Sequence, residues 1–253
     1  MNRLVAAEFI KAFTTRTWAW LLIGCLAMTA LFTGLDIAFT DAVGTTGAPL
    51  SSAAGQRSLF GVGGGAGALV AVLAAVGVTG EFRHKTAGAT FLSTPRRARV
   101  VAAKLVTYAI LGAGYGLACV AVTIAIALPW LGSKNIHVRI TSDHVPAVLA
   151  GVVVAMAIYG LFGVGLGALL RDQVATVVGL LVFLYAVSPI LTSIHALRGW
   201  SMYLPGPAGD ALVQFSQAGH TLLRPWQGGL VLTGYGLTLA AAGAFLTIRR
   251  DVT

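Results

Sequence analysis

Long apolar windows dominate the chain, and each is almost free of Asp, Glu, Lys and Arg. About 20 helical residues cross the roughly 30 Å hydrocarbon core of a membrane, and six windows reach that length. They predict spans at about 17–37, 58–80, 105–132, 145–170, 173–194 and 225–248. We therefore expect an all-α, polytopic transmembrane bundle that forms one transmembrane domain over residues 1–253.

The composition also favours a lipid environment. Hydrophobic residues make up 57% of the chain and charged residues 10%, whereas a soluble domain carries about a quarter charged residues. The formal net charge of +9 does not indicate nucleic-acid binding, because the basic residues gather at the ends of the apolar windows. Anionic lipid headgroups attract basic residues at that depth. We expect membrane lipids, and no nucleic acid, as partners.

Lys and Arg are divided unequally between the two sides of the predicted bundle. With a cytoplasmic N-terminus, twelve fall inside and five outside. The inside set is Arg3, Lys11, Arg16, Arg83, Lys85, Arg96, Arg97, Arg99, Lys104, Arg171, Arg249 and Arg250. Because basic connections stay in the cytoplasm, we expect both termini there and 195–224 to be extracellular. That segment either rests in the outer membrane interface or forms a structural lid over the bundle.

Residues 1–17 have the pattern of an amphipathic helix. Val5, Phe9 and Phe13 recur at helical spacing, and Arg3 and Lys11 lie on the other side. A basic amphipathic helix of this kind lies in the membrane interface. The alternative is a short cytoplasmic tail whose periodicity is accidental.

The connection at 81–104 is the most strongly basic part of the chain. It begins with Glu81, Phe82, Arg83, His84, Lys85 and Thr86 and ends with Arg96, Arg97, Arg99 and Lys104. Thr94 followed by Pro95 is typical of a helix start, so we expect a helix from Glu81 to about Leu92, a break and a second helix. The segment is either a docking surface for another protein or a determinant that only keeps this loop inside.

Besides Gly63 and Gly67, three glycine pairs fall in the predicted spans at G-x-x-x-G spacing and are the candidates for helix packing. They are Gly61 and Gly65, Gly112 and Gly116, and Gly163 and Gly167. Such pairs allow helices to approach closely. They predict close packing within the bundle, or alternatively an interface between two chains.

The motifs of catalysis are missing from the sequence. It contains no phosphate-binding G-x-x-x-x-G-K-[ST], no H-E-x-x-H, no G-x-S-x-G and no C-x-x-C. Ionisable residues inside a membrane mark ion and proton pathways, and here Asp36 and Glu81 lie only at span ends, where they can reach water. The sequence therefore predicts neither an enzyme nor a proton-driven carrier, and any transport must draw its energy from another protein.

A family resemblance accounts for these features together. Gly80-Glu81-Phe82-Arg83-His84, then Thr94-Pro95-Arg96-Arg97 and Lys104, resembles the segment after the second span in membrane subunits of bacterial type-two ATP-binding-cassette exporters. Leu204-Pro205, Ala208 and Leu212 resemble that family's extracellular stretch before the last span. The amphipathic start resembles its elbow helix. The family commonly has glycine after the histidine, where this chain has Lys85.

The resemblance implies a permease subunit in a bacterial plasma membrane. Two permease chains, identical or paralogous, would pair and seat their coupling helices, here Glu81 to about Leu92, in two copies of a separate ATP-binding subunit. That partner would bind ATP and Mg, leaving this chain without a cofactor. Glu81, Arg83 and His84 would anchor the coupling helix by charge-assisted hydrogen bonds to the ATPase or to the elbow helix.

The substrate implied is hydrophobic or amphipathic, such as a drug, a lipid or a peptide. A non-transporting membrane anchor, scaffold or immunity-type protein is the alternative function.

Overall fold

The computed structural model describes residues 1–40, 48–84, 97–138, 140, 142–213 and 222–249, which fold as helices and connections without a strand. The helices are α1 Asn2–Thr14, α2 Thr17–Phe39, α3 Ala53–Arg83, α4 Arg97–Ser133, α5 Val145–Leu170, α6 Gln173–Ser193, α7 Pro205–Leu212 and α8 Pro225–Arg249. Helices α2 to α6 and α8 are long and apolar enough to cross a membrane. This confirms an all-helical fold with six candidate spans.

Successive spans run in opposite directions, so the bundle has two ends. The basic end comprises α1, the last turn of α3, the first turns of α4 and the connection between α5 and α6. The opposite end comprises the last turn of α2, the first turn of α3, the connection between α4 and α5, and α7. Lys11 bonds to Glu81 at the basic end, and Lys134 bonds to the Ile37 carbonyl at the opposite end. The first bond joins α1 to α3, and the second joins the α4–α5 connection to α2.

The turn between α5 and α6 is as short as expected at Arg171-Asp172. Arg171 takes a left-handed conformation with φ 60°, which ends helices by turning the chain sharply. The Asp172 carboxylate then accepts a hydrogen bond from the Ala175 backbone N–H at 2.7 Å and caps α6. Two residues therefore suffice to reverse the chain, and the expected tight turn is confirmed.

Helix α5 is the centre of the bundle and packs against α3, α4 and α8. Helices α3 and α5 are mostly buried within the chain, whereas only 22% of α2, 22% of α6 and 28% of α8 is buried. Side chains such as Trp20 on α2 and Leu230 on α8 are exposed and apolar. Lipid is the solvent in which such a surface is stable.

Five of the six predicted packing glycines lie against neighbouring elements of the same chain. A Cβ atom would lie 2.4 Å from the Met156 carbonyl at Gly112, and 2.1 Å from the Ala71 carbonyl at Gly163. It would also be crowded at Gly61, Gly116 and Gly167. Gly65 differs, because nothing lies within 4 Å of its Cβ position. Close packing within the chain thus occupies five positions, and a role in pairing two chains stays a prediction.

The opposite end is held together by side chains that bind backbone carbonyls. Gln56 Nε2 donates to the His137 carbonyl at 2.7 Å, and Lys134 Nζ donates to the Ile37 carbonyl at 2.8 Å. The lysine thereby satisfies a carbonyl in the last turn of α2, where the helix dipole favours a cation. These bonds join α2, α3 and the α4–α5 connection.

We predict that Gly112→Ala destabilises the protein by about 1–3 kcal/mol, because the added methyl meets backbone that cannot rotate away. Thermal unfolding of the purified protein in detergent measures the effect. The matched control is Gly114→Ala on the same helix, where the Cβ position is open and alanine favours the helix by about 0.5–1 kcal/mol. Equal unfolding temperatures for the two variants would contradict the packing argument.

Candidate functional site

Among the described residues, four charged side chains of alternating sign meet at the basic end, and we call them the charge cluster. Lys11 Nζ lies 2.8 Å from Glu8 Oε1 and 2.8 Å from Glu81 Oε1. Lys104 Nζ lies 2.6 Å from Glu8 Oε2 and 2.8 Å from Glu81 Oε1. Each lysine therefore binds both carboxylates, and the charge cluster has no net charge. It joins α1 to the end of α3 and the start of α4.

The charge cluster is buried on one side and open on the other. The side chains of Glu8 and Lys104 are each 6% exposed, that of Glu81 is 12% exposed and that of Lys11 is 46% exposed. Burial lowers the pKa of Lys11, but hydrogen bonds to Glu8 and Glu81 outweigh this, so its pKa is raised. Buried ions are tolerated when each is paired and hydrogen-bonded, and this condition is met here.

Helix α1 turns a polar residue, as well as apolar ones, towards the bundle. Its buried residues are Glu8 and Ala12, while Phe9 stacks on Phe13, which meets Trp18 edge-on. The sequence pattern predicts the apolar stripe but no partner for Glu8. The local signal was the spacing of Glu8 and Lys11, which form an i, i+3 ion pair. The position of α1 in a membrane interface stays a prediction.

The other residues predicted for the 81–104 segment are placed as follows. Arg83 Nη1 donates to Gln173 Oε1 at 3.3 Å, and the Arg171 guanidinium lies 5.9 Å from the centre of the Phe82 ring. Glu81, Phe82 and Arg83 belong to the last turn of α3, followed by His84 in a turn. Arg99 is exposed. Lys85, Thr86, Arg96, the side chain of Arg97 and most of the predicted coupling helix lie outside the described residues.

A cavity of about 620 Å³ occupies the half of the bundle nearer the opposite end. Its walls are the second half of α2, the middle of α3, one tyrosine of α5, the second half of α6 and the connection from Gly199 to Asp210. Most of the lining is apolar, with Met28, Phe32 and Leu184 among its side chains. The size and character are those of a small-molecule site.

Two irregular stretches of helix border this cavity. The glycine-rich part of α3 winds as a 3₁₀ segment over Val62–Ala66, and α6 widens to a π-helical segment over Phe183–Val187. Both segments contribute lining residues. Irregular backbone at membrane depth is tolerated where it lines a cavity or is buried in protein, and π-helical segments are frequent at functional sites. The glycine run that the sequence assigned to helix packing is therefore also cavity wall.

The ring of Tyr159 on α5 packs between α3 and α7, which both line the cavity. We call this contact the Tyr159 wedge. A Cβ atom at Gly67 would lie 2.3 Å from the ring, and one at Gly209 would lie 2.4 Å from the hydroxyl. Only glycine leaves room for the tyrosine at these two positions. The Tyr159 hydroxyl also donates a hydrogen bond to the Pro205 carbonyl at 3.3 Å. The ring thus fixes α7 to α5 and to the middle of α3.

Two carboxyl groups line the cavity in the part of the chain that the structure describes. Asp36 of α2 accepts a hydrogen bond from the Thr40 hydroxyl at 2.8 Å. Asp210 of α7 is half-buried and forms no hydrogen bond or ion pair within the described part of the chain. Burial raises the pKa of Asp210 to about 7. The sequence places Asp36 at a span end, where it can reach water, and makes no prediction for Asp210. The sequence feature that marks Asp210 is its position as a single acidic residue in the apolar run Ala208–Leu212.

These two regions offer paired charges and an apolar lining with carboxyl groups. No group of three or more His, Cys, Asp and Glu side chains that could hold a metal occurs in the described residues. Comparison of the chain with protein-family models, curated proteins and solved structures finds no match. The charge cluster and the cavity are therefore the features that bear on function.

We predict that Lys104→Met destabilises the protein by about 3–5 kcal/mol, because it removes a buried cation that binds both Glu8 and Glu81. Adding Glu8→Gln to this variant removes the surplus negative charge and should restore part of the loss. Thermal unfolding in detergent is the measurement, and Arg99→Met, an exposed position on the same helix, is the control. Additive effects of the Glu8 and Lys104 substitutions would contradict the cluster.

We predict that Asp210→Asn raises stability increasingly with pH. An aspartate has a pKa of about 3.9 in an unfolded chain and about 7 here. The folded protein therefore holds a proton that the unfolded chain releases, so wild-type stability falls from about pH 4 to pH 7 and then levels off. The other described titratable groups that line the cavity are Asp36, Tyr159 and Tyr185. A stability difference that is constant between pH 5 and pH 8 would contradict this.

Proposed function

We propose that the chain is the membrane-spanning permease subunit of an ATP-driven exporter for hydrophobic or amphipathic substrates. A separate ATP-binding subunit, present in two copies, would hold ATP and Mg and hydrolyse the nucleotide. A second permease chain, identical or paralogous, would complete the membrane part. This chain itself would have no enzymatic activity and no cofactor, and it would reside in the plasma membrane of a bacterium.

The observation that carries the proposal is the charge cluster. Residues 85–96 connect α3 to α4, and the charge cluster binds the last turn of α3 and the first turns of α4 to each other and to α1. A force applied to the connection therefore reaches three helices through short ionic contacts. Helices α3 and α4 both pack against the central helix α5. A partner that pushes on this connection would move the bundle rather than one loop.

Under this proposal the bundle has a defined orientation in the membrane. The basic end would face the cytoplasm with both termini, because Lys and Arg are retained on that side. Helix α1 would be the elbow helix, with Phe9 and Phe13 at the acyl boundary. The cavity would then open towards the outer half of the membrane, where an exporter releases its substrate. The segment 195–224 would be extracellular.

The test is functional coupling to an ATPase. The tagged chain is purified from bacterial membranes, and ATP hydrolysis by the co-purified protein is measured with and without the chain in lipid vesicles. We expect the chain to bind and stimulate an ATPase, and the double variant Glu81→Ala, Arg83→Ala to lose most of the stimulation. Asp172→Asn removes a charge at the same end but keeps a capping side chain, and it should behave as wild type.

Three results would contradict the proposal. The first is a chain that never co-purifies with an ATPase, which would favour an anchor, scaffold or immunity-type protein. The second is normal stimulation by the double variant with its fold intact by thermal unfolding, which would leave the charge cluster without a coupling role. The third is uphill substrate movement in vesicles that contain this chain alone, because that would require an energy source within it.

A further inference from the structure

The cavity near the opposite end has a distinct chemical character. Its volume of about 620 Å³ falls within the range of about 300–1,000 Å³ typical of small-molecule sites. Phe32, Leu184 and Met202 provide apolar walls, and Tyr185 adds an aromatic ring. Aromatic faces attract cations as well as apolar groups. The walls therefore suit a bulky apolar ligand, and the ring also accommodates a positive charge.

The charged groups in the lining carry one sign. Asp36 and Asp210 are its carboxyl groups, and no Lys, Arg or His occurs among the described lining residues. Asp210 forms no hydrogen bond or ion pair with any residue that the structure describes. A half-buried carboxylate without a counter-ion is unfavourable. A cationic ligand would supply the missing charge, whereas an anion would be repelled.

The cavity is open at the side of the bundle. Helices α2 and α6 both flank it. Phe32 and Leu35 on α2 and Tyr185 on α6 line the cavity and are also exposed. This opening is bordered by apolar side chains of two candidate spans. A molecule dissolved in the lipid could reach the carboxyl groups through it.

We propose that this cavity binds an amphipathic organic cation, with the positive charge close to Asp210 and Asp36 and the apolar body against Phe32 and Tyr185. The inference rests on the proposed function only for the direction of movement. Given that function, it names the substrate class of the exporter. Binding itself requires neither ATP nor a partner chain, so the two proposals can fail separately.

The experiment compares two probes of nearly the same shape and opposite charge. Binding of tetraphenylphosphonium and of tetraphenylborate to the purified chain in lipid nanodiscs is measured at equilibrium, with empty nanodiscs subtracted. We expect saturable binding of the phosphonium at one site, at least about tenfold tighter than any binding of the borate. Asp210→Asn should weaken phosphonium binding by about tenfold or more, as loss of one charged contact does. Asp172→Asn, at the basic end, should leave it unchanged.

A second variant tests the location independently of charge. Gly65 borders the cavity, and nothing lies within 4 Å of its Cβ position. Gly65→Phe should fill the space and abolish phosphonium binding while the thermal unfolding temperature stays close to that of the wild type. If the Asp210→Asn variant does not fold, phosphonium binding by the Asp36→Asn and Gly65→Phe variants tests the site instead.

The outcomes separate the two proposals. Equal binding of the two probes, no saturable binding of the phosphonium, or binding insensitive to the cavity variants would overturn the inference and leave the exporter proposal standing. Selective phosphonium binding by a chain that couples to no ATPase would support the cation site and overturn the exporter proposal.

Discussion

The structure depends on two positive and two negative side chains that meet at one end of a hydrophobic bundle. Neither Glu8 nor Lys104 is stable in its buried position alone, because an unpaired ion in a low-dielectric surrounding is strongly unfavourable. Together with Glu81 and Lys11 they form a neutral set in which each lysine binds two carboxylates. Lipid supplies no hydrophobic driving force between helices, so these ionic contacts contribute to specifying how α1, α3 and α4 meet.

The sequence predicted the features that depend on short stretches of chain. Six spans follow from the length and polarity of single windows, and the tight turn at Arg171-Asp172 follows from two neighbouring residues. The charge cluster could not be predicted, because Glu8 and Lys104 are 96 residues apart and meet only after folding. Glu81 was expected to bind either an ATPase or the first helix, and the structure pairs it with Lys11 of α1. Its coupling role stays a prediction.

The cavity was missed for a related physical reason. Its carboxyl groups lie on α2 and α7, which the sequence treats as unrelated segments, and neither has a charged neighbour nearby to mark it. The glycine run at 61–67 suggested packing because G-x-x-x-G is a motif of close helix contact. In the structure Gly61 does pack closely, whereas Gly65 faces open space. One motif thus contains a contact surface and a void, and only the surrounding helices distinguish them.

The Tyr159 wedge has a mechanical consequence. Its ring fits against glycine on both sides and its hydroxyl bonds to the Pro205 carbonyl, so α7 cannot shift independently of α5. Sliding of the central helix would carry α7 and its carboxylate along, displacing Asp210 relative to the opposing wall on α2. Through Tyr159, motion of α5 along its axis would therefore change the distance between Asp210 and Asp36.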